Sequence, residues 1–169
     1  MLRIHTERLE LVTAPLDLVQ AVAAGRRTGF TFPAALPDDW PQADLSEFLP
    51  AYAGILAADR EGACWGVWLM VEKTSRTVVG DIGFVGRPDD GGRVEIGYSV
   101  LPAWREHGYA TEAGRALIAW ALTQPGVEAV KANTLAENRR SGRVLEKVGM
   151  HCLGDSADGM LAWEITKGN

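Results

Sequence analysis

The run Arg105-Glu106-His107-Gly108-Tyr109-Ala110-Thr111 has the residue types of an anion site. Small residues at 108 and 110 bracket a turn and let backbone N–H groups face outward without side-chain obstruction. A helix that starts there adds its own unpaired N–H groups, and Thr111 can add a hydroxyl. The ligand suited to such a loop is a phosphate or pyrophosphate. The GxxxxGK[ST] pattern of nucleoside-triphosphate loops is absent, as is GxGxxG, and the first half of the chain is not built of βαβ units. Upstream, Glu95 sits between the apolar Val94 and Ile96, which should point to the opposite face of a strand. Downstream, Asn138-Arg139-Arg140-Ser141 precedes an apolar helical face.

The elements that must position these groups follow from periodicity and turn chemistry. Leu9–Val12 reads as a strand. Leu16–Ala24, opened by Pro15, reads as a short helix, and Gln42–Ala58 as a second. Trp65–Val71, Val78–Val85 and Val94–Val100 read as strands, the last two separated by the turn signal Arg87-Pro88-Asp89-Asp90-Gly91-Gly92. After Pro102 the chain turns helical, with Ala113, Leu117, Trp120 and Ala121 on one face and Pro125-Gly126 as a stop. Glu128–Leu135 reads as a strand. Val144, Leu145 and Val148 mark a helix ended by Gly149, and Met150–Leu153 and Met160–Thr166 close the chain as strands. The reading is one domain over 1–169, mixed α/β (α+β), with a central, mostly antiparallel sheet of six to seven strands flanked by helices.

Arg105-x-x-Gly108-x-Ala110 resembles the Q/R-x-x-G-x-G/A signature of the GNAT acetyltransferases. Gly108-Tyr109-Ala110-Thr111-Glu112-Ala113, Thr6-Glu7-Arg8-Leu9-x-Leu11, and Asn138-Arg139-Arg140-Ser141 with Val144-Leu145-Glu146-Lys147-Val148-Gly149-Met150 are similar to the branch of that superfamily that includes ribosomal-protein N-terminal acetyltransferases. Departures are Glu106 where the branch often has Gly, His107 where it often has Lys or Arg, Met150 for an aromatic, and Val12 for an Arg. The resemblance implies an enzyme that moves acetyl from acetyl-CoA to a primary amine, on a protein N-terminus or a small molecule, by direct attack on the thioester. It implies coenzyme A contacts from Ser99, Val100, Leu101, Arg105, Glu106, His107, Gly108, Tyr109, Ala110, Thr111, Asn138 and Ser141, and an acidic base at about Glu95.

Each role has an ordinary counterpart. Glu95 could instead be a strand residue paired with Arg93 or solvent. Backbone N–H groups of Ser99–Leu101 could serve an oxyanion, since Pro102 ends pairing, or simply close a strand. Ser141 could protonate the leaving thiolate or satisfy helix N–H groups. Asn138 suits a coenzyme A contact or a helix cap. His107 suits a phosphate contact or solvent. Of Arg139, Arg140 and Arg143, at least two fit a solvated helix face. Trp65, Trp68, Trp120 and Trp163 read as core, and Trp40 as a residue of the acceptor pocket.

A net charge of −5 argues against a nucleic-acid partner and mildly favours a cationic substrate. The longest apolar run, Cys64–Val71, is too short to span a membrane, no secretory signal is read, and a cytoplasmic location is expected. Cys64 and Cys152 have no metal-ligand spacing and read as free core thiols; no metal is expected. Oligomeric state is open, a homodimer included. A non-catalytic coenzyme A sensor or interaction module is the alternative from another class.

Overall fold

A computed structural model describes residues 1–156 and 159–168. The chain runs β1 (Arg3–His5), β2 (Leu9–Thr13), α1 (Leu16–Ala23), α2 (Ala43–Ala58), β3 (Val67–Glu72), β4 (Thr77–Phe84), β5 (Arg93–Val100), α3 (Tyr109–Thr123), β6 (Ala129–Leu135), α4 (Arg139–Lys147), β7 (His151–Asp155) and β8 (Met160–Thr166). The strands form a single eight-stranded sheet ordered β1-β2-β3-β4-β5-β6-β8-β7. The sheet therefore exceeds the expected six to seven strands by one. The addition is β1, three residues long, too short to show periodicity. It is held to β2 by register pairs from Arg3↔Val12 to His5↔Glu10, and by Arg3, whose guanidinium lies 2.6 Å from the buried Glu10 carboxylate.

Every neighbouring pair is antiparallel except β5 and β6. Parallel neighbours need a crossover, and α3 supplies it. The parallel ladder covers only Arg93↔Ala129, Val94↔Val130 and Glu95↔Lys131, after which the two strands part. Helices cover both faces. Leu18, Val19, Leu49, Tyr52 and Leu56 of α1 and α2 pack with Val12, Leu69 and Leu101 on one side. Ala113, Leu117, Ile118 and Ala121 of α3, with Leu145 of α4, pack with Leu11, Met70, Val94 and Ile96 on the other. Double coverage explains why β2 and β3 are buried along their whole length, and why Val67–Val71 of β3 is an unbroken apolar run rather than an alternation.

Two local expectations are corrected. Trp65 ends a 3₁₀ turn (Glu61–Trp65) ahead of β3 instead of starting the strand; there its ring packs against Phe84 and Trp120. Cys152 lies exposed on β7, at the sheet's outer edge, while Cys64 packs against the core.

Candidate functional site

A first groove, about 610 Å³, is bounded by the end of β5, the loop into α3, and one face of α4. The loop is shaped by two positive-φ residues, Glu106 (φ 65°) and Gly108 (φ 81°). Gly108 is the N-cap of α3 and carries no side chain to satisfy the helix. The first helical bond there is Glu112 N–H to the Gly108 carbonyl, at 3.0 Å. The N–H groups of Tyr109, Ala110 and Thr111 precede it and have no intrahelical partner, so they present the positive end of a fifteen-residue helix to the groove.

The loop is clamped from a distance in sequence. Glu112, in the first turn of α3, accepts from the Thr6 hydroxyl at 2.6 Å, the Arg8 backbone N–H at 2.7 Å and the Arg8 guanidinium at 2.8 Å. Burial pushes the Glu112 carboxyl up, but these bonds outweigh it and hold its pKa below the usual glutamate value. Arg8 also donates to the His107 carbonyl at 2.7 Å and lies over the Tyr109 ring, 4.7 Å from its centroid. One arginine from the β1–β2 turn thus fixes both sides of Gly108. The side chain of Arg105 turns back to the Val100 carbonyl at 2.9 Å and reaches toward Gln42.

On α4, Asn138 is the N-cap and accepts from the Ser141 N–H at 3.2 Å. Ser141 is thereby relieved of capping, and its hydroxyl instead meets the Tyr98 hydroxyl at 2.7 Å. Burial raises the Tyr98 pKa, against the lowering bond to Ser141. Arg140, Arg143 and Lys147 follow at helical spacing along the same groove, a basic face beyond the pair of serine and tyrosine. Only Arg139 of the three arginines is left outside it.

A second cavity, also about 610 Å³, opens between α2 and the β4–β5 sheet face. Gln42, Asp44, Tyr98 and Ser99 line both cavities, so the two meet between the end of β5 and the start of α2. The Ser99 hydroxyl donates to Gln42 Oε1 at 2.7 Å at this junction. Asp81 lines the second cavity and is the register partner of Ser99 on the neighbouring strand. It is only 7% exposed, and its Oδ2 accepts from the Trp40 indole N–H at 3.1 Å. Trp40 itself is buried and lines neither cavity; it braces Asp81, where the sequence reading put it in the acceptor pocket.

Of the residues singled out in the sequence, the first groove brings together Ser99, Val100, Arg105, Glu106, Gly108, Tyr109, Ala110, Thr111, Asn138 and Ser141. Three stand apart. Leu101 is buried, and its N–H donates to the Val79 carbonyl at 2.9 Å, so Pro102 does not free it. His107 is exposed, with Nδ1 2.7 Å from the Arg105 carbonyl. Glu95 lines neither cavity; its carboxylate accepts from Asn133 at 3.0 Å. The roles of Arg8, Gln42, Asp44, Asp81, Tyr98 and Lys147 were missed. A signal existed for Tyr98, which shares strand parity with Val94 and Ile96, and for Lys147, four residues after Arg143. Nothing local marks Gln42 or Asp81. Among the described residues no three His, Cys, Asp or Glu side chains gather as metal ligands do, and no helix is long and apolar enough to cross a membrane.

The acetyltransferase (GNAT) domain profile matches residues 8–151. A Bacillus subtilis (strain 168) protein described as an uncharacterized N-acetyltransferase, YjdG, is 32% identical over 154 residues, covering 88% of this chain and 89% of its own. The ribosomal-protein-S5-alanine acetyltransferase of Vibrio fischeri superposes with a TM-score of 0.74 at 12% identity, covering 100% of this chain and 98% of its own. RimL, a ribosomal L7/L12 α-N-protein acetyltransferase solved in complex with coenzyme A, gives 0.66 at 16% identity, covering 98% of each chain.

Proposed function

The chain belongs to the GNAT acetyltransferase family and transfers acetyl from acetyl-CoA to an amine, and on that premise we propose that the first groove takes coenzyme A and the second cavity takes a primary amine. The observation that carries this is the junction: a thioester held in one cavity and an amine in the other can meet only where Gln42, Asp44, Tyr98 and Ser99 line both. The residues fit the donor. The unpaired N–H groups of Tyr109, Ala110 and Thr111 suit a pyrophosphate, and Arg140, Arg143 and Lys147 suit further phosphate charge. Glu106 fits less well by charge; its carboxylate leans toward Arg140, 3.9 Å away, which offsets it.

In this reading the amine nitrogen attacks the thioester carbonyl, the C–N bond forms, and the C–S bond breaks as the tetrahedral species collapses. The Ser141–Tyr98 hydroxyl pair, at the groove end next to the junction, delivers a proton to the departing thiolate. The amine must arrive at that carbonyl neutral, so a carboxylate takes its proton. Glu95, on the same face of β5 as Ser99, would do so only through water, because it lines neither cavity. The acceptor is a primary amine on a protein N-terminus or a small molecule.

The test is thiol release from acetyl-CoA with ethylamine, phenethylamine, spermidine and peptides starting with Ala or Ser. Turnover on any class is expected; binding of acetyl-CoA with no turnover on all of them would favour a sensor. Ser141→Ala and Tyr98→Phe should each lower kcat about three- to tenfold with KM for acetyl-CoA little changed. A thiolate is a tolerable leaving group, so the proton donor adds less than the 10²-fold of a strong general acid. The double variant should be no worse than the weaker single, since one hydrogen bond joins the two. Additive losses would separate their roles.

A further inference from the structure

The mechanism leaves unused Asp81, the one buried carboxylate among the described residues that line the two cavities. From its placement, we propose that Asp81 receives the proton of the acceptor ammonium directly, and that the second cavity therefore selects amines that arrive as cations. This rests on the assignment of that cavity to the acceptor.

The geometry makes the case. Asp81 lies across the strand pair from Ser99, one of the four residues at which the cavities meet. Trp40 holds Oδ2, which fixes the carboxyl without ionic pairing. Gly97, two residues before Ser99 on the same face, leaves open space where a Cβ would stand, so an amine can approach along the strand. Leu45, Phe48, Phe84 and Val85 provide apolar walls for the carbon chain.

The charged and titratable groups on the elements around Asp81 are few. Asp44, in the first turn of α2, lines both cavities at their junction and is exposed, so solvent screens its charge where Asp81 is buried. The Tyr52 hydroxyl accepts from the Val67 N–H. Arg105 reaches the far side of Gln42, and Glu95 is held by Asn133. The partner of Asp81 on β3, Leu69, carries no charge. Burial accordingly pushes the Asp81 carboxyl up to about 7, against the lowering bond from Trp40. A base that titrates there is half ionised at neutral pH and well matched to proton transfer.

The steps balance. R–NH₃⁺ gives one proton to the Asp81 carboxylate, and the neutral amine adds to the thioester. The second nitrogen proton is lost as the C–S bond breaks and is balanced by the one the thiolate gains. Asp81 returns its proton to solvent on product release.

Asp81→Asn keeps an acceptor oxygen for Trp40, and its melting curve will show whether it folds. With the alkylamine that wild type turns over fastest, kcat/KM should rise with pH through an apparent pKa near 7. In Asp81→Asn it should fall about a hundredfold, the contribution expected of a general base, and lose that limb. Methoxyamine, already neutral at pH 7, needs no base, so Asp81→Asn should keep wild-type turnover of it above the uncatalysed rate. Three results would overturn the assignment: a folded Asp81→Asn that keeps the limb, a limb that disappears in Glu95→Gln instead, or equal loss of both amines. Should Asp81→Asn not fold, Asp81→Glu decides: a retained but displaced limb supports the proposal, an unmoved one refutes it. Wild type that turns over no amine would instead remove the acetyltransferase assignment of the two cavities.

Discussion

Replacing Gly108 with valine is expected to weaken coenzyme A binding by roughly tenfold to a hundredfold, the equivalent of about 1.4–2.8 kcal/mol. Space is not the obstacle. A Cβ at 108 would meet nothing closer than an Arg8 guanidinium nitrogen at 3.4 Å. The obstacle is the backbone, held at φ 81°, where a β-branched residue is strained by about 1–3 kcal/mol. The variant can keep the loop and carry the strain, which appears as lost stability. Or it can rotate to negative φ and turn the Tyr109, Ala110 and Thr111 N–H groups away from the groove, which appears as lost affinity. Gly108→Ala should lie between it and wild type. Titration calorimetry with coenzyme A reads the effect; wild-type affinity in Gly108→Val would remove the loop from the phosphate site.

The second large effect is at Glu112, which touches no substrate in this reading. Glu112→Gln preserves shape but exchanges a charged acceptor of three bonds for a neutral one that can accept at a single oxygen, leaving Arg8 underpaired. Losing charge-assisted bonds in a mostly covered site should lower stability by about 2–3 kcal/mol, or about 5–10 °C in Tm for a domain of this size. The sign with pH follows from the depressed pKa. Stabilisation from Glu112 is complete above the ordinary glutamate value and is lost as pH falls through its lower folded value. The gap between wild type and Glu112→Gln should therefore be full at pH 7 and close in acid. Urea melts at pH 7 and pH 3 would show this, and an equal gap at both would assign the loss to shape rather than charge. Affinity for coenzyme A should fall with it, because Arg8 anchors His107 and Tyr109 on either side of the loop.

How much of this was legible depended on whether the signal was local. The loop at 105–111 declares itself through small residues and a helix start, and it lies where expected. Helix α4 was legible from its apolar face, but the division of labour at its start was not. That Asn138 caps, and so leaves the Ser141 hydroxyl to Tyr98, depends on a tyrosine 43 residues earlier than the serine. Asp81 sits in Val79-Gly80-Asp81-Ile82, which reads as any strand with one polar position. Its meaning comes from register with Ser99 and from a tryptophan 41 residues earlier in the chain. Glu95 was the more conspicuous carboxylate because it precedes the motif, and proximity in sequence is a weak guide across a sheet whose strands pair at long range. The Arg8–Glu112 clamp joins positions 104 apart for the same reason.

The short parallel ladder between β5 and β6 has a thermal consequence. Strands β1–β5 form one antiparallel ladder and β6–β8 another, and among the described residues the two are stitched by three register pairs and by packing under α3 and α4. Such a seam is where a sheet opens first. In amide hydrogen exchange of the free protein, β6, β7 and β8 should exchange together and sooner than β3 and β4. A donor molecule lying against both the end of β5 and α4 bridges the seam, so its binding should slow exchange in the β6–β8 ladder, including at amides it never touches.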